Sequence, residues 1–187
     1  MIRKEIERKL IEYCSPTLAG LKSGSLFSYF YHGQQIAAEE FEKLNRLLNT
    51  KGVNLEVLIW REQSALVYVY RTTMLESELK QPGVLDFLNK YGYKDYNIDS
   101  CLKHLKQRIM TSSCFPHEIG VFLGYPLEDV EGFIDNNGKN CKSCGVWKVY
   151  CNEEEKDVLF KKFKKCKEVY LRVFCEGKEI LHMTVCT

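Results

Sequence analysis

Cys141 and Cys144 form the sharpest chemical motif in the sequence, a Cys-Lys-Ser-Cys segment. Two thiolates at this spacing can bind one tetrahedral zinc ion from a turn. A zinc site needs two further ligands, which Cys151, Cys114 or His117 would have to supply. The chain has no second Cys-x-x-Cys pair, so we interpret the segment as a loop with incidental thiols and predict no cofactor. The alternative is a site at Cys141, Cys144, Cys151 and Cys114 that binds metal or changes with redox state.

Motifs of known enzyme classes are incomplete. His117 and the glutamate after it resemble the start of a zinc-protease helix, but Val121 stands where the second histidine ligand is required. Residues 132–139 have one residue too many between their glycines for a phosphate-binding loop, and Asn140 replaces the required serine or threonine. No Gly-x-Ser-x-Gly elbow occurs, and the four histidines are scattered singly. The sequence therefore does not predict an enzyme.

Residues 117–134 have the periodicity of a helix-turn-helix, in which a glycine turn separates an apolar helix from a second helix. The second helix is acidic and carries Glu128, Asp129, Glu131 and Asp135. Carboxylates there would face the phosphates of DNA, and no arginine or lysine is available to contact a guanine edge. The lysines of residues 161–167 lie at a helix end, where cations are favourable and solvated. We therefore expect no nucleic-acid partner.

Composition indicates one globular domain over residues 1–187. The chain is 45% hydrophobic and 28% charged, within the range of a folded domain. Its first residues alternate charges with isolated apolar residues, whereas a signal peptide needs a continuous apolar segment. No window approaches the roughly 18 consecutive apolar residues of a membrane span. We therefore expect a cytoplasmic protein with no membrane partner, whose nine cysteines stay free in a reducing compartment.

The elements that must position these residues begin with a strand, a helix and a hairpin over residues 25–71. Aromatic residues between two glycines predict a strand at 25–31, and apolar residues at helical spacing predict a helix at 37–48. Two apolar segments at 55–60 and 65–70 predict the hairpin. The aromatic residues of this hairpin include Trp60, Tyr68 and Tyr70. If they leave an aromatic face uncovered, the protein is a self-associating interaction module, which is a further functional alternative.

The pattern of residues 146–185 predicts the same order of elements again, after a helical segment at 72–134. A strand at 146–150, a helix at 153–165 and a hairpin from 169 repeat the plan, and LEVLIWREQSALVYVY aligns with VYLRVFCEGKEILHMT without a gap. We therefore predict an α+β fold in which duplicated β-α-β-β units form a mixed or antiparallel sheet, with a helical insertion between them. Accidental similarity of two hairpins is the alternative. The duplicated connectivity is similar to that of the GyrI-like small-molecule-binding fold.

Three stretches carry a family resemblance, namely CSPTLAGLKSGSLF at 14–27, CFPHEIGVFLGYPLEDVEGFI at 114–134 and CGVWKVY at 144–150. Together they resemble an uncharacterised family of proteins from anaerobic Gram-positive bacteria, domain of unknown function family 3793. The resemblance extends over nearly the whole chain, and the middle stretch is long and specific. It implies no activity, cofactor or partner.

The same stretches supply the candidate ligand-binding residues, which are Lys22, His117, Glu118, Tyr125, Trp147 and Lys148. They combine side-chain types that packing alone rarely requires together. Lys22 lies beside small residues whose backbone amides can help it hold an anionic group, while Tyr125 and Trp147 can cover a flat apolar body. We expect at least three of the six to line one concavity, and we interpret the protein as a non-catalytic small-molecule-binding protein. The oligomeric state stays open.

Overall fold

A three-stranded antiparallel sheet forms the middle layer of the computed structural model, which describes residues 2–186. Its strands are β1 (Gly24–Phe30), β2 (Val53–Trp60) and β3 (Ser64–Arg71), in the order β1-β3-β2. Both faces of the central strand β3 are buried. Because successive side chains of a strand point to opposite faces, β3 contributes to two cores. Val67 and Val69 enter one, called the first core, whereas Tyr68 and Tyr70 enter the other, called the second core. The sheet therefore needs a helical layer on each side.

Helices cover both faces of this sheet. The first face is covered by α1 (Ile2–Leu18), α2 (Gln34–Asn49), α8 (Glu153–Cys175) and α9 (Ile180–Met183). The second face is covered by α3 (Thr72–Leu79), α4 (Val84–Asn89), α5 (Ile98–Thr111), α6 (Ile119–Phe122) and α7 (Leu127–Asp135). Outside these layers, β4 (Ser143–Cys144) and β5 (Lys148–Val149) pair as a small antiparallel hairpin. The structure therefore confirms the predicted α+β class.

The first part of the chain has the predicted connectivity. β1, α2 and the β2–β3 hairpin follow each other as strand, helix and hairpin, and residues 72–134 form a series of helices. Both predictions are confirmed. In the part of the chain that the structure describes, no helix is long and apolar enough to cross a lipid bilayer.

The predicted duplication is wrong, because residues 169–174 belong to α8 and not to a strand. α8 runs for 23 residues without an internal glycine or proline, so nothing interrupts its hydrogen bonds near residue 165. Tyr170 and Phe174 lie one turn apart and pack on the first core, which outweighs the strand preference of aromatic and β-branched residues. Residues 179–185 form α9 and an irregular segment. The two halves therefore differ, and the similarity to the GyrI-like fold no longer holds.

The aromatic residues Trp60, Tyr68 and Tyr70 of the β2–β3 hairpin pack against the two cores. Tyr68 is 0% exposed and Tyr70 is 7% exposed, and their rings stack with centroids 5.0 Å apart in the second core. Trp60 packs at the edge of the first core, against the rings of Tyr31 and Phe41. The three rings therefore do not form the uncovered aromatic face on which the alternative of a self-associating module was based, and self-association itself stays untested.

Arg71, at the end of β3, is a fully buried cation that joins three segments. Its guanidinium donates to the carbonyls of Thr17 and Leu18 at the end of α1, and to the carbonyl of Val185. The last carbonyls of a helix carry partial negative charge, so they suit a buried cation. Arg71 thereby ties α1 and the segment after α9 to the centre of the sheet.

Candidate functional site

Helix α6 and the turn after it are fixed against the start of β1. A Cβ atom at Gly24 would stand 2.5 Å from the carbonyl oxygen of Phe122, so a larger residue does not fit there. The Tyr68 hydroxyl donates to the same carbonyl. At the turn between the helices, Gly124 has a φ of +69°, and a Cβ there would overlap the Ser23 hydroxyl. The three stretches that carry the family resemblance, residues 14–27, 114–134 and 144–150, are called the family-like stretches below. The first two therefore pack directly against each other.

Asp129 links α7 to the β4–β5 hairpin through a buried carboxylate, which is 2% exposed. Its Oδ2 accepts a hydrogen bond from the Trp147 indole Nε1 at 2.8 Å. Its Oδ1 accepts from the backbone N–H groups of Tyr150 at 2.7 Å and Cys151 at 3.0 Å. These bonds satisfy the buried carboxylate and fix the position of Trp147.

Trp147 lies in a column of aromatic rings. It stacks on Tyr125 with centroids 4.6 Å apart, and it meets the ring of Phe160 from α8 edge-on at 4.6 Å. Gly145 makes room for Phe160, because a Cβ at this position would stand well inside van der Waals distance of the ring. The Lys22 ammonium lies 5.0 Å from the centre of the Tyr125 ring, in a cation–π contact. The column thus connects the family-like stretches with α8.

An open cavity of about 350 Å³ lies between the α6–α7 segment and the β4–β5 hairpin. Its apolar walls include Phe115, Ile119, Tyr125, Val130, Phe133 and Trp147. Phe115 and Val146 form an exposed rim, at 41% and 45% exposure. Large apolar side chains that border an open concavity are typical of a site that binds another molecule.

Two polar side chains, His117 and Lys148, flank Phe133 in this cavity. The His117 ring is exposed, and its centroid lies 4.9 Å from that of Phe133. The Lys148 Nζ lies 5.9 Å from the same centroid and donates to the Gly138 carbonyl at 2.6 Å. This bond uses one of the three N–H groups of the ammonium. The cavity therefore offers hydrogen-bond donors at one side of an aromatic wall.

The structure brings four of the six predicted ligand-binding residues to this cavity, namely His117, Tyr125, Trp147 and Lys148. Lys22 and Glu118 do not line it. The four side chains therefore line one cavity, whereas ligand binding by them stays a prediction.

Lys22 is buried next to Tyr125 and is 8% exposed. Its Nζ donates to the Gly24 carbonyl at 2.7 Å. Burial lowers the pKa of Lys22 to about 8, and the Coulombic effect of the nearby Cys14 opposes this change. Gly24 and Ser25 belong to β1, so the segment that we predicted to hold an anion together with Lys22 is part of the sheet.

Glu118 joins α5 to the start of α6. It is 1% exposed, and its carboxylate forms an ion pair and a hydrogen bond with Arg108. The hydroxyl of Tyr93 donates to the same oxygen at 3.5 Å. The hydrogen bond to Glu118 raises the pKa of Arg108. The contacts of the Glu118 carboxylate therefore lie within the helical layer on the second face of the sheet.

The thiols of the alternative metal or redox site lie in different environments. Cys144 lines the cavity and is exposed, Cys114 and Cys151 are exposed, and Cys141 is half-buried. Within residues 2–186, no group of three or more histidine, cysteine, aspartate or glutamate side chains is arranged to hold a metal ion. All nine cysteines are free thiols. A metal-binding or redox role for Cys141 and Cys144 stays an untested alternative.

The sequence analysis also misjudges the position of Asp129. We predicted it on an exposed acidic face, but it is buried, whereas its neighbours Glu128 and Asp135 are exposed. Phe133 lies four residues after Asp129 and therefore on the same face of α7. An apolar residue at this spacing is the signal that places Asp129 toward the cavity.

The three family-like stretches meet in this region. The second and third line the cavity, and the first supplies Lys22 and Gly24 behind it. Residues 10–184 match a family model described as Protein of unknown function (DUF3793). The chain belongs to this family. Membership in DUF3793 confirms the resemblance, while an origin in anaerobic Gram-positive bacteria stays a prediction. No curated protein and no solved structure matches the chain significantly.

Proposed function

We propose that this protein binds a small molecule, without chemical conversion, in the cavity between the α6–α7 segment and the β4–β5 hairpin. The observation that carries the proposal is the cavity itself. Its volume of about 350 Å³ lies at the lower end of the range of small-molecule sites, and its aromatic walls carry a few polar groups at one side. The nine free thiols support a reducing compartment, and the proposal includes the cytoplasm as the location.

Asp129 supports binding rather than catalysis. A general base needs a free acceptor that reaches the substrate. Both carboxylate oxygens of Asp129 already accept hydrogen bonds from Trp147, Tyr150 and Cys151, which hold the hairpin in place. Asp129, the one carboxylate among the described residues that line the cavity, thus has a structural role.

The proposal is tested by closing the cavity at its rim. Val146→Trp places a large ring at an exposed position of the lining, where it fills the entrance and leaves the core untouched. Val158→Trp is the matched control, because Val158 lies on α8, is 53% exposed and does not line the cavity. Both variants are screened in parallel with the wild type against fragments that include aromatic and aliphatic acids, amides and amines, by ligand-observed NMR.

We expect the wild type and Val158→Trp to bind the same fragments in the micromolar to millimolar range, and Val146→Trp to lose them. Native mass spectrometry of the protein purified from its own cells provides a second readout, because a co-purified molecule should also disappear in Val146→Trp. If the fragments bind equally well to Val146→Trp, or if no fragment binds the wild type, the proposed function is wrong.

A further inference from the structure

We propose that the ligand of this cavity is a planar aromatic anion, whose ring packs against the aromatic walls and whose charged group meets Lys148 and His117. The inference rests on the proposed function and adds the chemical class of the ligand. It follows from the shape of the walls, from the available hydrogen-bond donors and from the absence of a free carboxylate in the described lining.

The walls favour a flat ring. Phe115, Tyr125, Phe133 and Trp147 all line the cavity, and aromatic side chains pack best against another ring in offset-stacked or edge-on geometry. The Tyr125–Trp147 stack holds both rings in place, so little side-chain freedom is lost when a ligand binds. A volume of about 350 Å³ suits a compound of one or two rings.

The donors favour an anion. Lys148 uses one N–H group on the Gly138 carbonyl and keeps two for another acceptor. The exposed His117 imidazole lies on the same aromatic residue, Phe133, and supplies a further N–H. A ligand oxygen that meets both groups receives charge-assisted hydrogen bonds, which are stronger than those between neutral groups.

Three carboxylates in this region, Asp129, Glu118 and Glu131, are already engaged, so they do not cancel this preference. Asp129 accepts three hydrogen bonds. Glu118 is paired with Arg108, and Glu131 pairs with Lys90 at 3.6 Å. Among the described residues that line the cavity, Lys148 therefore provides a positive charge that no lining carboxylate neutralises.

The test compares three probes by isothermal titration calorimetry on the reduced full chain. The probes are 2-naphthoate, its neutral amide 2-naphthamide and the aliphatic anion octanoate. We expect 2-naphthoate to bind about tenfold or more tightly than either of the others, because only this probe offers both the ring and the charge. Lys148→Met should weaken 2-naphthoate about tenfold and leave 2-naphthamide nearly unchanged. Lys142→Met is the matched control, since Lys142 is exposed in the same hairpin region and does not line the cavity.

A measurement on the wild type covers the case that Lys148→Met does not fold. Raising the salt concentration from about 50 mM to about 500 mM should weaken 2-naphthoate and leave 2-naphthamide unchanged, because salt screens only the charged contact. Equal affinity for the acid and the amide would overturn the anionic part of the inference, and tighter binding of octanoate would overturn the aromatic part. In both cases the proposed function stands if Val146→Trp abolishes binding. If none of the three probes binds, the inference is wrong, and the fragment screen decides separately whether the proposed function also fails.

Discussion

Replacing Lys22 by methionine removes a buried charge and should stabilise the protein near neutral pH. The Lys22 side chain is 8% exposed, and its ammonium has the Gly24 carbonyl and the ring of Tyr125 as neighbours. Burial lowers its pKa from the ordinary value of 10.5 to about 8. Methionine has a similar length and no charge, so Lys22→Met keeps the packing and removes the cost of burying an ammonium.

The size of the effect follows from the two pKa values. The difference between them means that the charge on Lys22 lowers the free energy of unfolding by about 3 kcal/mol at pH 7. The variant also loses the hydrogen bond to Gly24, which is worth about 1 kcal/mol. We therefore expect Lys22→Met to be more stable than the wild type by about 2 kcal/mol at pH 7.

The pH dependence gives a sharper test than the stability at one pH. Between pH 8 and pH 10.5 the unfolded chain binds more protons at Lys22 than the folded chain, so the wild type gains stability as the pH rises through this window. From pH 7 to pH 9 the gain is about 1 kcal/mol, and the advantage of Lys22→Met should shrink by this amount. Urea unfolding in reducing buffer, followed by circular dichroism at both pH values, measures the difference.

Two comparisons isolate the Lys22 charge. Burial raises the pKa of Cys14 from 9.0 to about 12, so both proteins lose stability above pH 9 as this thiol ionises in the unfolded chain. Because both proteins share this loss, most of it cancels in the difference between their free energies of unfolding. Lys94→Met, at an exposed lysine, should change stability little at either pH. A Lys22→Met variant that is less stable than the wild type at pH 7, or whose advantage is the same at pH 7 and pH 9, would refute the argument.

Two further substitutions test how the cavity is built. Gly145→Ala forces a Cβ into the ring of Phe160 and should destabilise the protein by about 1–3 kcal/mol in urea unfolding. Asp129→Asn places an amide N–H₂ among three donors, so we expect a loss of about 1–3 kcal/mol together with a shift in the fluorescence of Trp147.

Exposed or unhindered positions of the same type serve as controls. Gly33→Ala should cost less than about 1 kcal/mol, because the nearest side-chain atom is 3.6 Å from the added Cβ and the backbone is extended. Asp135→Asn, at an exposed site of α7, should change stability by less than about 0.5 kcal/mol. Wild-type stability of Gly145→Ala would show that Phe160 moves freely, and wild-type stability of Asp129→Asn would show that the carboxylate does not hold the hairpin.

Sequence patterns predict the first part of the fold and fail at α8, for physical reasons. In residues 25–71 the apolar periodicity, the glycines and the loop positions all favour the same elements, and the structure follows them. Residues 169–174 are rich in residues that prefer strands, yet the preceding helix has no glycine or proline to end it. The apolar face of this helix packs on the first core, and this tertiary contact is invisible in a local pattern.

The candidate site shows the same limit. Residue types in the family-like stretches lead to four side chains of the cavity, because a mixture of aromatic and polar residues is unusual for packing. The direction of a polar side chain depends on a partner elsewhere in the chain. Glu118 belongs to Arg108, and Lys22 is buried against Tyr125, which lies about a hundred residues later. Neither contact leaves a trace in the spacing of residues.

The hydrogen bonds from Arg71 to the end of α1 and to Val185 have a consequence for the order in which the protein folds during synthesis. Arg71 and its partner Val185 are 114 residues apart, and Ile180 and Met183 of α9 complete the first core. A ribosome that adds 5–20 residues per second needs about 6–23 s to make this length of chain. Until then Arg71 lacks one of its three carbonyl partners, and the part of α1 that packs against α8 and α9 lacks its cover. We therefore expect the nascent chain to expose apolar surface of α1 for many seconds, and a molecular chaperone that shields α1 should raise the yield of folded protein.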